Sequence, residues 1–389
     1  MYNKISVIYS FKLEGCEGMS LENLREEINQ IDEKLLDLFT KRLQISREVA
    51  LYKQEHNLPV FQAGREDQII EKVRDNSPDE FKNSSEVLFK NIMDISKCRQ
   101  QQEIYKESPQ IKGKVFPPKA SYKVGCPGTI GANSHVASKK LFPNNDINFY
   151  HNWENVFDAV ENGEIDFGVL PIQNSTAGSV SLTYELMRKY NFYICASTSL
   201  KISSCLVVRK GTDISKVKKV FSHEQALAQC SEFIKENGYT PVKYANTALA
   251  AEFVLNSSED IAAICSKDCA EIMGLEIINS EISNSDENYT RFICISKYIY
   301  ISENANIISV SLSLSHTPGA LYRLLTKFSV IGLNLLRIES KPIASKDFNV
   351  VFYLDFEGSI NQPEVIEIIY ALKEELEYFK FLGNYNEVI

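Results

Sequence analysis

The chain lacks any apolar run near the roughly 20 residues that span a bilayer, any C-x-x-C pair among its nine cysteines, and any metal-ligand spacing among its five histidines. These absences exclude a membrane-spanning helix and a structural zinc site, and they fit a reducing cytoplasm. The glycine patterns G-x-x-x-x-G-K-[ST] and G-x-G-x-x-G are also missing, so neither a nucleotide nor a nicotinamide cofactor is indicated. Net charge is −9, which argues against a protein that holds nucleic acid by bulk electrostatics. An anionic ligand must therefore be met by local cations working against the global field. Ile5 to Phe11 is a short apolar patch followed by Glu14 and Glu17, with no small-residue cleavage site, so no signal peptide is read. Residues 1–18 read as an unstructured leader, with Met19 a candidate true start. What remains is substantial: 389 residues at 44% hydrophobic content can bury two or three domain cores.

Residues 19–108 carry a helical period. Leu21, Leu24, Ile28, Ile31, Leu35 and Leu38 step by three and four behind Ser20, a helix cap. The next seam position is Arg42; the stripe resumes at Ile45, Val49 and Tyr52. Lys53 lies about three turns beyond Arg42 and points the same way. Buried cations are rare unless paired, so Arg42 and Lys53 either meet carboxylates in the protein or await an anionic ligand. Two further helices, Asp67 to Arg74 and Ser85 to Tyr105, bring Arg65, Glu66, and the i, i+4 pair Ser96 and Gln100. Cations, a carboxylate and two neutral hydrogen-bonders converging in a bundle describe a pocket for a small dianion. Arg25 and Lys53 are roughly 42 Å apart on one helix, so Arg25 joins that pocket only from a second chain. A long helix with one apolar seam and few partners also favours dimerisation.

Residues 109–120 hold three prolines, a glycine and three lysines without period and read as a linker. Over 121–300 a strand, a loop and a helix recur. Tyr122 to Cys126 leads through Gly128 and Gly131 into a helix near His135. Asp166 to Ile172 is a short buried strand, followed by Gln173-Asn174-Ser175-Thr176 and a helix from Leu182 to Lys189. Val220-Phe221 leads into Ser222-His223-Glu224-Gln225, and Val242 to Ala245 into Asn246-Thr247 and a helix to Leu255. Gln225 and Gln229, i and i+4, need a reason beyond capping. Asn288-Tyr289-Thr290-Arg291 opens an apolar strand over Phe292 to Ile295. Such alternation predicts an α/β domain of two lobes around a cleft, with ligands beyond the strand ends. Residues 301–389 read βαββαβ, an α+β ferredoxin-like order.

These motifs resemble known families. Leu24-Arg25-Glu26, Ile31 to Leu36, Arg42, Lys53, Arg65-Glu66 and Ser96-x-x-x-Gln100 resemble the all-helical chorismate mutases. The resemblance implies an intertwined dimer in which Arg25 of one chain joins Arg42, Lys53, Arg65, Glu66, Ser96 and Gln100 of the other. The arginines would hold carboxylates, Lys53 and Gln100 would donate to the ether oxygen of chorismate, and Glu66 would accept from the ring hydroxyl. Gly128-x-x-Gly131 with Ser134-His135, Asn174 to Gly178, Ser222-His223-x-Gln225 with Gln229-Cys230, and Asn288-x-Thr290-Arg291-Phe292 resemble the prephenate dehydratases. That implies a periplasmic-binding-protein-like two-lobed domain turning prephenate into phenylpyruvate, with Thr290 donating to the departing hydroxyl. Asn174, Ser175, Thr176, Ser222 and Gln225 would orient the substrate; Arg291 either holds a carboxylate or forms a structural ion pair. Gly319-Ala320-Leu321-Tyr322 and Glu339-Ser340-Lys341-Pro342 resemble the ACT domain, implying phenylalanine as effector at Gly319, Ala320, Leu321, Glu339 and Ser340.

The expectation is thus a multidomain, cytoplasmic, cofactor-free bifunctional enzyme, at least a homodimer, acting on chorismate and prephenate and inhibited by phenylalanine. The rivals are a periplasmic-type binding protein, a phenylalanine sensor with a decayed mutase or dehydratase site, and an enzyme acting on arogenate instead. Departures from the family pattern are Gln62 for Asp, Gln173 for Glu, Asn133 for an aromatic residue, Glu224 for Pro, and Lys341 for Arg. Glu224 suits a first helical turn; Gln173 removes a charge beside the site.

Overall fold

The computed structural model describes residues 20–56, 58, 63–116, 121–285, 287–342 and 350–389. The expectations for the leader, for Met19 and for Gln62 lie outside the described residues, as do positions 117–120 of the expected linker. The chain divides between Lys106 and Glu107 into two units.

In the first unit α1 (Leu21–Glu55) is capped by Ser20, whose Oγ accepts from Asn23 N at 3.3 Å. It is followed by α2 (Ala63–Asp75) and α3 (Lys82–Tyr105), and α3 packs against both. The face that α1 turns to α3 is not the whole expected seam. Ser46 and Ala50 are buried there and Arg42 and Lys53 half-buried, whereas Ile45, Val49 and Tyr52 are exposed. Two stripes one residue out of phase share the helix, and a 3.6-residue period cannot separate them by spacing alone. From Leu21 to Leu38 every residue is exposed; Ile28, Leu35 and Leu38 stand at 56, 53 and 63%. Covering one such side chain is worth about 1.5–3 kcal/mol.

The second unit contains β1 (Lys114–Phe116), β2 (Val124–Pro127), α4 (Asn133–Leu141), β3 (Ile147–Tyr150), α5 (Trp153–Asn162), β4 (Phe167–Asn174), β5 (Gly178–Ser179), α6 (Ser181–Lys189) and β6 (Tyr193–Lys201). It continues with β7 (Cys205–Val208), β8 (Lys219–Ser222), α7 (Glu224–Gln229), α8 (Ser231–Glu236), β9 (Thr240–Lys243), α9 (Thr247–Asn256), β10 (Ala262–Cys265), α10 (Lys267–Met273), β11 (Glu276–Asn279), β12 (Tyr289–Ser296) and β13 (Tyr300–Ser302). Last come β14 (Ile307–Ser313), α11 (Ala320–Ile331), β15 (Leu335–Pro342), β16 (Val350–Glu357), α12 (Pro363–Glu375), β17 (Phe379–Tyr385) and β18 (Glu387–Val388).

Two sheets form two lobes. One runs β18-β6-β12-β4-β2-β3, with β5 paired to β4; the other runs β11-β7-β10-β8-β9. The chain crosses between them after β6 and again before β12. Phe167 to Leu170 and Phe292 to Ile295 are buried throughout, as central strands covered on both faces must be. A third sheet, β15-β16-β14-β17, is antiparallel throughout and carries the βαββαβ order. The stretch expected to be an aperiodic linker contributes β1, which pairs in parallel with β13 and buries Phe116. Three apolar side chains in six residues were too few to show that strand. Among the described residues no helix is long and apolar enough to cross a membrane.

Candidate functional site

On the helical unit, Arg42 Nη1 donates to Ile92 O at 3.3 Å and to Ser96 Oγ on α3. Ser96 Oγ in turn donates to Ile92 O at 2.7 Å. One turn further along α3, Gln100 Oε1 is buried without a hydrogen-bond partner. Burial lowers the Lys53 pKa, an effect that Glu66 on α2 opposes. Glu66 is held by Lys97 at 3.2 Å, and Lys97 also pairs with Asp94 at 2.8 Å. Burial alone would lower the Lys97 pKa, but Asp94 and Glu66 raise it overall. Arg42, Lys53, Glu66, Ser96 and Gln100 therefore sit on the facing sides of three helices. Arg65 does not join them: it is exposed, with Nη1 3.5 Å from Gln68 Oε1. Arg25 is exposed on the uncovered half of α1. Lys97 and Asp94 were missed, although their i, i+3 spacing beside Ser96 carried the signal.

Between the two lobes lies a cleft of about 510 Å³, lined by residues including Gly128, Asn133, Asn174, Gln225, Gln229, Asn246, Asn288 and Thr290. No Asp, Glu, Lys or Arg lines it among the described residues; its titratable groups are His151 and His223. Charge on a bound anion would be met by helix N-termini, since α4, α5, α7 and α9 all begin at its wall. Gly128 and Gly131 hold φ of +100° and +80°. A Cβ at Gly131 would stand 3.0 Å from Cys269 Sγ, so glycine lets this turn approach α10. His135 Nδ1 accepts from Gly131 N at 3.1 Å, and burial with nearby Lys139 lowers its pKa.

A ring of side chains closes one end of the cleft, and its hydrogen-bond directions follow from the backbone. Asn174 Oδ1 accepts from the N–H groups of Thr176 and Ala177 at 3.1 and 2.8 Å. Its Nδ2 must then face Asn288 Oδ1 at 2.7 Å and Thr290 Oγ1 at 2.9 Å. Asn288 Nδ2 donates to Gln229 Oε1 at 3.2 Å, Gln229 Nε2 to Thr176 Oγ1 at 2.9 Å, and Thr176 Oγ1 back to Asn174 Oδ1 at 2.7 Å. Thr290 is thereby an acceptor from Asn174, and its own O–H is left to donate elsewhere. Gln229 is the second reason that its spacing from Gln225 called for: it ties α7 of one lobe to the segments just after β4 and just before β12 in the other.

Three expected substrate contacts are placed otherwise. Ser175 Oγ donates to Glu287 O at 2.8 Å and accepts from Tyr289 N at 2.9 Å, pinning two chain segments together. Ser222 is fully buried and donates to Ile264 O at 2.6 Å. Arg291 points away from the cleft, because neighbours along a strand face opposite ways and Thr290 faces in. Its Nη1 meets Asp355 Oδ2 at 2.9 Å, and Arg337 meets the same oxygen at 3.0 Å. Burial alone would lower the Arg291 pKa; Tyr385 and Asp355 raise it above the ordinary value. Removing the carboxylate would strand two cations, so Asp355→Ala is expected to lower the unfolding free energy of this unit by about 3–5 kcal/mol. Denaturant titration measures this.

In the third sheet Gly319 has φ of +79° and starts α11, and Ala320 lines a separate cavity of about 710 Å³. Glu339 faces the catalytic lobe instead, accepting from Ser179 Oγ at 2.7 Å and pairing with Lys341 at 3.1 Å; Ser340 is exposed. Within one chain the two motifs do not meet in that cavity.

The chain matches the family described as prephenate dehydratase over residues 124–299 and the family described as chorismate mutase type II over residues 24–101. It is 32% identical over 275 residues to an arogenate dehydratase/prephenate dehydratase of Arabidopsis thaliana, covering 68% of this chain and 72% of that one. To a bifunctional chorismate mutase/prephenate dehydratase of Aquifex aeolicus it is 28% identical over 383 residues, 95% of this chain and 98% of the other. A solved prephenate dehydratase from Arthrobacter aurescens, in complex with L-Phe, superposes with a TM-score of 0.62 at 27% identity, over 68% of this chain and 89% of that structure.

Proposed function

The chain belongs to the prephenate dehydratase family and carries a chorismate mutase module ahead of it, and from that premise we propose how its residues divide the work. It is a bifunctional enzyme that rearranges chorismate to prephenate and then converts prephenate, with one proton, to phenylpyruvate, water and carbon dioxide. The observation that carries the second step is the hydrogen-bond ring, which leaves the Thr290 hydroxyl as a donor in a cleft without ionised carboxylates. Thr290 donates to the ring hydroxyl as its C–O bond breaks; the electrons of the departing carboxylate fill the ring and make it aromatic. Asn174 and Gln225 position the substrate, and Thr176 fixes Asn174. In the first step no covalent help is needed. Arg42 holds a carboxylate, Lys53 and Gln100 donate to the ether oxygen, Glu66 takes the ring hydroxyl, and Ser96 sets the Arg42 guanidinium.

We assign the uncovered half of α1 to a second copy, whose Arg25 completes the pocket. Leu35→Asp is expected to uncouple the helical units and abolish mutase turnover while prephenate dehydration persists, as paired assays on chorismate and prephenate would show. The βαββαβ sheet we read as a ferredoxin-like ACT domain taking phenylalanine between chains at Gly319, Ala320, Leu321, Glu339 and Ser340. Its route to the cleft is α6. Lys341 donates to Ser179 and Ser181, Tyr353 to Tyr184 O at 2.9 Å, and Lys380 to Met187 O and Tyr190 O at 2.8 and 2.7 Å. The eight described cysteines are free, as suits the cytoplasm. Incubation with prephenate alone tests the second step: phenylpyruvate must form, and added phenylalanine must slow it.

A further inference from the structure

Behind the strand ends that carry Asn174 and Thr290 lies a second pairing, Gln173 opposite Arg291 in the ladder of β4 and β12. Asn174 and Thr290 face the cleft; Gln173 and Arg291 face the third sheet. There Gln173 Oε1 accepts from Arg337 Nη1 at 3.1 Å, and Arg337 and Arg291 share Asp355. Tyr385 and Ser309, which complete the cluster, are neutral. Two guanidinium groups thus meet one carboxylate, and the Nε of each is buried without a hydrogen-bond partner. Nearby charges do not restore the balance. Glu339 is matched by Lys341 at 3.1 Å. Glu387, whose field also reaches Arg291, is hydrogen-bonded by Ser199 and forms no ion pair with either arginine among the described residues.

We propose that Gln173 is a specificity-determining residue of the dehydratase: with no carboxylate at this position, the cluster holds a net positive charge behind Asn174 and Thr290 that favours prephenate over arogenate. This rests on the dehydratase reading above. The two molecules share the ring, the departing hydroxyl and the ring carboxylate. They differ in the side chain, a keto acid in prephenate and an amino acid in arogenate, so prephenate carries two negative charges and arogenate a net one. Among the described residues no charged side chain lines the cleft itself, so none there compensates the field of the cluster beneath it. Hydrogen-bond donors in the cleft act on both substrates alike, whereas a net charge acts in proportion to theirs.

The test compares wild type, Gln173→Glu and Gln173→Ala, with arogenate followed both as a substrate and as a competitor of prephenate. Gln173→Glu neutralises the cluster and is expected to lower the prephenate-to-arogenate ratio of kcat/KM, and of competitive binding, roughly three- to tenfold, as for unit charges about 10 Å apart at an effective dielectric of about 25–50. Gln173→Ala loses the hydrogen bond but keeps the charge, so its ratio should stay within about twofold of wild type on the same scale. The Gln173→Glu protein should melt at or above the wild-type temperature, because the new carboxylate satisfies Arg337. An unchanged ratio in Gln173→Glu, an equal shift in Gln173→Ala, or a lower melting temperature in Gln173→Glu would overturn the proposal. Absence of turnover on both substrates by wild type would instead refute the dehydratase reading.

Discussion

Thr290→Ala should reduce prephenate turnover by about 10²–10³-fold, the usual loss when one transition-state donor is removed, while chorismate consumption stays at the wild-type rate. Supplied with chorismate, the variant would accumulate prephenate. The effect is expected to fall on kcat more than on KM, because the hydroxyl acts on a bond that weakens only as the reaction proceeds. Thr290→Ser, which keeps the hydroxyl and the place it takes beside Asn174, should recover most of the rate. Asn174 reaches the same oxygen at 2.9 Å, so Asn174→Ala frees Thr290 to turn and should lose activity for a different reason. A thermal melt that matches wild type separates both losses from unfolding.

Lys53→Met should suppress the mutase step by a comparable factor, about 10²–10³-fold, and leave dehydration of added prephenate intact. In the proposed mechanism its cation stabilises charge growing on the ether oxygen, and no neutral side chain replaces that. Burial lowers the Lys53 pKa, against the pull of Glu66. The sign follows: the active form is the protonated one, so mutase turnover is lost as pH rises, and the loss begins below the range of an ordinary lysine. Among the described residues no lysine lines the dehydratase cleft, and dehydration should not share that alkaline limb. Stopped assays on each substrate across pH separate the two profiles.

Long, strongly periodic elements were legible. The seam behind Ser20 located α1, and the cap itself is present. The alternation of strands and helices announced two lobes, and the polar segment after Ile172 marked the cleft. What failed to show was the direction of side chains within those segments. Arg42 was read as part of one stripe with Ile45 and Val49, yet the helix presents two faces, one to α3 and one outward. The outward face is the one proposed above for a second chain, which a single sequence does not display. Thr290 is expected at the substrate, and for Arg291 a substrate carboxylate and a structural ion pair stand open together. Strand period decides between the two, because neighbours along a strand face opposite ways, and Arg291 forms the ion pair. The resemblance implies Ser175 and Ser222 as substrate contacts; both are consumed by main-chain partners, and that depends on residues 40 or more positions away. The pairing of β18 with β6, which ties the last residues of the chain into the catalytic sheet, rests on contacts of the same long range.

The most direct test is incubation of the purified chain with chorismate alone, following chorismate, prephenate and phenylpyruvate together. Loss of chorismate with phenylpyruvate as the end product, slowed by phenylalanine, is the predicted result. Prephenate accumulating without phenylpyruvate, or chorismate left unconsumed, would contradict it.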